Sequence, residues 1–282
     1  MNTKDNAIAK QIEERYGQYA RQILESDLPL PFNGDGSAPQ TSQQAETLAE
    51  RLYFDSQLVD LPTPVVNASI GCGNPVAIAK LKPGANVLDL GSGGGIDCFM
   101  AAKAVGPQGY VIGVDATPSM IDLANKNKQA MGLTNVEFRL GKIEELPVAS
   151  DSIDLVMSNC VIDISPDKTA VFQEAFRVLK SGGRMVIADT VILGEIPPNL
   201  KANIDMWAGA VITPLITLPE LLQCIVHAHF VDIQVEALTS YGLENFEQLD
   251  AASKKTLTDG IVWKPLPLNT GLYSALIEAR KP

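Results

Sequence analysis

Histidine is almost missing from this chain. Its two copies in 282 residues, His227 and His229, form one His-x-His pair late in a helical run. With no third acid or cysteine close by in sequence, they make no metal site and read as ordinary residues. Cysteine is scarce as well. Cys72, Cys98, Cys160 and Cys224 stand far apart, which excludes the paired spacing of a redox or zinc motif. The plain reading is four reduced, mostly buried thiols, and it is the preferred one for Cys224. Basic residues are outnumbered, 22 Lys and Arg against 33 Asp and Glu, for a net charge of -11. No basic run appears, so a nucleic-acid or anionic-membrane partner is not expected. No stretch approaches the roughly 18 apolar residues of a membrane span, and Met1–Asp5 lacks the apolar core of a signal peptide. The expectation is a soluble, cytoplasmic protein.

What is present is ordinary for a soluble globule with a sizeable core, 46% apolar and 20% charged. The length allows one large α/β domain with additions, or two small domains. Ile8, Ile12, Tyr16, Tyr19 and Ile23 form one stripe of an amphipathic helix over 5–25. A Pro-, Gly-, Ser- and Gln-rich loop follows over 29–43. Asn74-Pro75 starts a short helix. Strands at 86–90, 110–114, 135–140, 153–158 and 184–189 then alternate with helices at 96–105, 118–131 and 166–180. Thr117-Pro118 and Ser165-Pro166 repeat the cap-then-proline signal, and Gly182 is a helix stop. Thr217 and Glu220 form a capping box for a helix at 218–228. Strand 231–238, an irregular segment to about Gly271 and strand 272–279 complete the chain. The pattern predicts a doubly wound, mostly parallel seven-stranded sheet. Residues 1–60 read as a helical segment and linker, 61–195 as the core, and 196–282 as acceptor-side helices, two strands and a cap.

The most informative run is Val87-Leu88-Asp89-Leu90-Gly91-Ser92-Gly93-Gly94-Gly95, with Val111-Ile112-Gly113-Val114-Asp115 after it. A strand enters a glycine-rich turn, a helix follows, and a second strand ends in an acid. The dinucleotide fingerprint Gly-x-Gly-x-x-Gly is not met, because Ile96 stands at the third glycine position. Asp89 beside the turn would repel a pyrophosphate and would suit a cationic amino-acid moiety. Asp89-x-Gly91-x-Gly93-x-Gly95 resembles motif I of the S-adenosylmethionine methyltransferases. Asp115 would then accept hydrogen bonds from the two ribose hydroxyls. Ligands of doubly wound sheets lie outside the carboxyl ends of the strands, where Asp89, Asp115, Gly141 and Ser158 fall. Ile143, flanked by Lys142 and Glu144, can face an adenine, with Met120 on its other side; for both, core packing is the alternative. Ala116, Ser92 and Gly93 complete the candidate donor site.

A narrower resemblance follows from Ser69-Ile70-Gly71-Cys72-Gly73-Asn74-Pro75, Gly95-Ile96-Asp97 and Ser158-Asn159-Cys160-Val161-Ile162. With Glu174-Ala175-Phe176-Arg177-Val178-Leu179-Lys180, these motifs resemble the arsenite methyltransferases of microbes from about Leu52 to Leu238. That family holds trivalent arsenic, a soft centre, between cysteine thiolates. The resemblance implies that Cys72 and Cys160 bind the metalloid as substrate, and Cys98 matches a cysteine that only some members have. No resident metal is implied. The family pattern after Trp207 is Gly-Cys-x-x-Gly-Ala, whereas Ala210 stands here at a principal arsenic-ligand position, and Asp163 stands where Asn is usual. Two readings stay open. Arsenic could be held by Cys72, Cys160 and Cys98, or the acceptor could be an organic small molecule, with Asp163 as its base unless Asp163 is a solvated loop acid. A non-catalytic module that binds S-adenosylmethionine or senses metalloid is the remaining alternative.

Overall fold

A computed structural model describes residues 3–25, 49, 52–194, 215–240, 246–248, 261–263 and 269–282. The loop over 29–43 and the region of Ala210 lie outside the described residues. Helix α1 spans Thr3–Glu25, followed by short helices α2 (Asp55–Leu58), α3 (Thr63–Asn67) and α4 (Pro75–Ile78). Strand β1 (Asn86–Leu90), α5 (Ile96–Val105), β2 (Tyr110–Asp115), α6 (Pro118–Met131) and β3 (Val136–Leu140) form the first winding. Strand β4 (Ile153–Asn159), α7 (Lys168–Val178) and β5 (Leu179–Leu193) form the second. Helix α8 (Leu218–His227) and strands β6 (Val231–Ser240), β7 (Phe246–Gln248), β8 (Ile261–Trp263) and β9 (Asn269–Arg280) complete it.

The sheet order is β3-β2-β1-β4-β5-β9-β6-β8, with β7 on β9. Its seven long strands are the seven expected. The first five run parallel, and β9 enters antiparallel between β5 and β6. Three-residue strands β7 and β8 lie inside the segment expected to be irregular. The chain reverses between β1 and β4, so the carboxyl ends of these two strands diverge to leave a crevice.

Each face of the sheet buries its own core. Leu88, Leu90, Val156 and Ile187 pack with Phe172 of α7 and Leu221 of α8. Val87, Val111, Leu155 and Met157 pack with Phe99 of α5 and with Tyr53 and Val65. Period-2 alternation thus supplies both covered faces of a doubly wound sheet. Tyr19 and Ile23 of α1 pack on Met120 and Leu123 of α6. The side chains of Ile8 and Ile12 lie outside the described residues. Among the described residues, no helix is long and apolar enough to cross a membrane.

Local signals were mostly met. Asn74 caps α4 by accepting from Ala77 N, and Thr217 and Glu220 form their capping box. Helix α7 differs. Its cap is Asp167, which accepts from Ala170 N, rather than Ser165. The helix ends at Val178, and Gly182 lies within β5. Arg184–Leu193 pair in unbroken register with β9, and this long-range ladder carries the strand beyond the segment that local patterning marks.

Candidate active site

Glycine geometry shapes the turn after β1. Gly91, Gly93 and Gly95 have φ of +67°, +50° and +96°, the left-handed region that costs glycine least. Gly91 N and Ser92 N donate to Val114 O at 2.8 and 3.0 Å, tying the turn to β2. Asp115 fixes the other side: one carboxylate oxygen accepts from Gly93 N at 2.9 Å and the other from Thr117 N at 2.8 Å. A Cβ at Gly93 would meet nothing within 4 Å, so the turn is open there. The Ser92 hydroxyl is buried and finds no hydrogen-bond partner among the described residues, an arrangement that favours a polar ligand.

This turn floors a cleft of about 960 Å³. Asp89, Gly91, Ser92 and Gly93 lie at one end. Asp115, Ala116 and Met120 line its side, and Lys142, Ile143 and Glu144 line the opposite loop. Ser158 does not reach the cleft. It is fully buried beside Leu90 in the β1–β4 ladder, and its hydroxyl has no partner among the described residues. The next residue, Asn159, faces the cleft instead. Strand parity gives the reason: Asn159 shares a face with Met157 and Asp89, while Ser158 shares one with Leu90.

The sequence reading missed Tyr16, Tyr53, Asp97 and Asn159, all in the cleft wall. Asp97 accepts from the Tyr53 hydroxyl at 3.0 Å and from Asn159 Nδ2 at 3.1 Å. Burial raises the Asp97 pKa to about 6, against these two hydrogen bonds, which lower it. Asp89 is pushed well above the usual carboxylate range, first by burial and then by the charge of Asp97. Cys98 Sγ donates to Asp89 at 3.2 Å. Cys98 is therefore placed under the turn, and burial followed by the Asp89 charge raises its thiol pKa.

Cys72 and Cys160 meet at the other end. The neighbouring Cys72 thiol is the largest cause raising the Cys160 pKa, followed by burial. Cys160 lines the cleft and holds a left-handed φ of +61°, with its N–H bonded to Ala188 O at 2.8 Å. Such a conformation is uncommon for a side-chain-bearing residue and persists where its surroundings enforce it. Asn159 supports both cysteines. Its Oδ1 accepts from Cys72 N at 2.9 Å and from Gly73 N at 3.2 Å, while Nδ2 donates to Gly73 O at 2.9 Å. A Cβ at Gly71 would collide with this amide, its nearest atom 2.3 Å away.

Behind Cys160 lie two acids. One ligand atom each from Cys160, Asp163 and Asp189 lies within 4.8 Å of the others. Asp163 is buried rather than a solvated loop acid, with 7% of its surface exposed. Burial raises its pKa to about 6, and Lys168 opposes the shift. Asp189 is raised well above its ordinary range by burial and by Asp163. Its two oxygens accept from Ile162 N at 2.9 Å and Thr190 N at 2.8 Å, fixing the loop after β4. A hydrogen bond also joins the two acids.

Comparison with known proteins agrees with this geometry. Residues 81–254 match the family model described as a methyltransferase domain. An arsenite methyltransferase of Halobacterium salinarum is 40% identical over 275 residues, 96% of this chain and 66% of that protein. The Homo sapiens arsenite methyltransferase is 32% identical over 213 residues, 72% of this chain and 53% of that protein. The chain thus spans between about half and just under two thirds of these relatives' lengths. The crystal structure of an arsenic(III) S-adenosylmethionine methyltransferase from Chlamydomonas reinhardtii superimposes with a TM-score of 0.62 at 30% identity. That match covers 79% of this chain and 71% of the other. The chain belongs to the methyltransferase-domain family of S-adenosylmethionine-dependent enzymes and is a homologue of the arsenite methyltransferases.

Proposed function

We propose that this chain transfers a methyl group from S-adenosylmethionine to trivalent arsenic bound by Cys72 and Cys160. The observation that carries the reading is the convergence of two thiols from distant segments, Cys72 close enough to raise the Cys160 pKa and Cys160 itself lining the donor cleft. Soft thiolates suit a soft metalloid. When bound, S-adenosylmethionine supplies a methyl activated by its sulfonium.

The chain's own residues provide position and dryness. Asp115 accepts from the ribose hydroxyls while it holds the turn. Ile143 and Met120 enclose the adenine, and Lys142 and Glu144 flank it. Asp89 and the open turn at Gly91–Gly93 receive the amino-acid end, and Ser92 gives its unmatched hydroxyl to that end. Each thiol exchanges for one hydroxide of arsenous acid, its proton leaving with that hydroxide as water. Cys160 would then turn the arsenic lone pair toward the donor end of the cleft, where bound S-adenosylmethionine would give up its methyl to arsenic with loss of the C–S bond. Alignment within about 3–3.5 Å is the principal demand, and no general base is needed. Tyr16 of α1 and Tyr53 wall the cleft against water.

The test is methylation of arsenite in the presence of glutathione, read as methylated arsenic and S-adenosylhomocysteine. Wild-type turnover that Cys160→Ser abolishes, with donor binding retained, is expected. Unchanged arsenic methylation by the serine variant would overturn the thiolate assignment.

A further inference from the structure

Two buried acids stand at the donor end without a countercharge. Asp89 lies near the end of β1 and Asp97 in the first turn of α5. Both line the cleft, and both are more than nine-tenths buried. Burial, the Asn159 amide and the Tyr53 hydroxyl act on Asp97; among the described residues no cation joins them. Burial, Asp97, the Cys98 thiol and Asp115 act on Asp89, again with no cation. A buried carboxylate is costly unless it is paired, so this corner suits a positive group. In the same cleft wall, the buried Ser92 hydroxyl has no partner among the described residues. Asn159 adds a separate observation. Its amide nitrogen has two protons and three acceptors in reach: Gly73 O at 2.9 Å, the Tyr53 hydroxyl at 2.9 Å and Asp97 Oδ2 at 3.1 Å. Asp97, the most distant, competes with the Gly73 carbonyl for a proton. The oxygen of the same amide accepts from Cys72 N and Gly73 N. Whatever settles the amide nitrogen therefore settles the loop that carries Cys72.

We infer that Asp97, together with Asp89, holds the α-ammonium of S-adenosylmethionine, and that filling this position frees the Asn159 amide for Gly73, so that donor binding firms the Cys72–Gly73 loop. An ammonium brings a full charge and three protons, and it outcompetes a neutral amide for a carboxylate. Tyr53 goes on donating to Asp97, at 3.0 Å from each oxygen, and keeps the acid aimed while its other partner changes. Asn159 then gives its two protons to Gly73 O and the Tyr53 hydroxyl, and its oxygen stays on Cys72 N and Gly73 N. Asp97 is thus a binding residue for the donor, and Asn159 is a positioning residue for the acceptor loop. The inference rests on the donor placement proposed above and is independent of which acceptor the thiols take.

The discriminating ligand is 5′-methylthioadenosine, which keeps the adenosine and a thioether but lacks the amino-acid end. Titration calorimetry of the full chain at pH 8, where Asp97 with its pKa of about 6 is ionised, compares the two ligands. Asp97→Asn should weaken S-adenosylmethionine by about 10- to 100-fold and methylthioadenosine by less than about threefold. Equal weakening of both would overturn the inference, because the acid would then support the whole site rather than the ammonium. Hydrogen exchange gives a second readout that needs no variant. In the wild type, saturating S-adenosylmethionine should slow the Cys72 and Gly73 amides by about three- to tenfold more than saturating methylthioadenosine does. In Asp97→Asn saturated with S-adenosylmethionine, that excess should vanish. An excess that persisted there would mean that the donor covers the loop directly, and the link through Asn159 would be overturned. A wild type that bound neither ligand would overturn the donor placement itself, and this inference with it.

Discussion

The two ends of the cleft are built by different means. At the donor end, backbone does most of the work: left-handed glycines, N–H groups tied to Val114 O, and one carboxylate closing the turn. At the acceptor end, side chains from distant segments converge. Cys72 comes from the loop before α4, Cys160 from the end of β4 and Asp189 from within β5, with Asn159 bonded to Cys72 N and Gly73 N. A backbone-built site tolerates any side chain that leaves its turn alone. A site assembled from side chains changes with each substitution, so the acceptor end is where relatives of one fold can diverge.

The largest effects should separate the two ends. Asp115→Ala removes an acceptor shared by Gly93 N and Thr117 N and leaves both N–H groups without their acid. Affinity for S-adenosylmethionine by isothermal titration should fall roughly 100-fold, with arsenite binding retained. Cys160→Ser should give the converse, arsenite affinity lowered by about 100-fold or more at unchanged donor affinity. If either variant damaged both ends equally, the division between them would be wrong. Asn159→Ala is the intended exception. Its amide bonds Cys72 N and Gly73 at one end and Asp97 and Tyr53 at the other, so both affinities should drop together.

The same division explains what could be read from sequence. Strands, winding order and the donor turn are local: hydrophobic alternation and glycine spacing carry them within about 30 residues. Ser158 failed for a local reason, since its parity with Leu90 directs it into the opposite core, and applying that alternation would have found Asn159 instead. Asp97 stood in a quoted motif, but its role depends on Tyr53, 44 positions earlier. Cys98 shares a residue type with Cys72 and Cys160 but not a location, and spacing alone carries no information about that. The burial of Asp163 depends on β5 and Lys168 packing around the loop, which no period in the sequence records. The strand residues at 179–183 likewise depend on distant partners, Leu179 pairing with Ile153 and Gly182 and Gly183 bonding Lys281.

Acid–base behaviour offers a smaller and sharper test. Burial lifts the pKa of Asp97 and of Asp163 from the ordinary carboxylate value of about 3.8 to about 6. Folding therefore favours their protonated forms. Their cost is absent below about pH 4, grows as pH rises through 4 to 6, and is constant above, reaching about 2–3 kcal/mol for each group by linkage. Asp163→Asn should stabilise the fold at pH 8 by up to that amount and have little effect at pH 4, as read by urea unfolding. Asp97→Asn should gain less, because Asn159 Nδ2 and the Tyr53 hydroxyl lose a carboxylate acceptor. Equal gains at the two positions would show that their hydrogen bonds count for little.

The smallest expected effect tests where Cys98 belongs. Its thiol is fully buried among Ile96, Phe99 and neighbours of α5 and bonds Asp89 rather than the other cysteines. Serine keeps a donor for Asp89 and removes only the sulfur. Cys98→Ser should leave arsenite affinity and the number of sulfurs around bound arsenic unchanged. Donor affinity should move by no more than about threefold, the scale of one altered hydrogen bond. Unfolding should shift by about 1 kcal/mol or less. A sulfur lost from the arsenic shell in this variant would mean that α5 rearranges to bring Cys98 across the cleft. The acceptor end would then draw on the helix that supports the donor turn, and the two ends could not be altered independently.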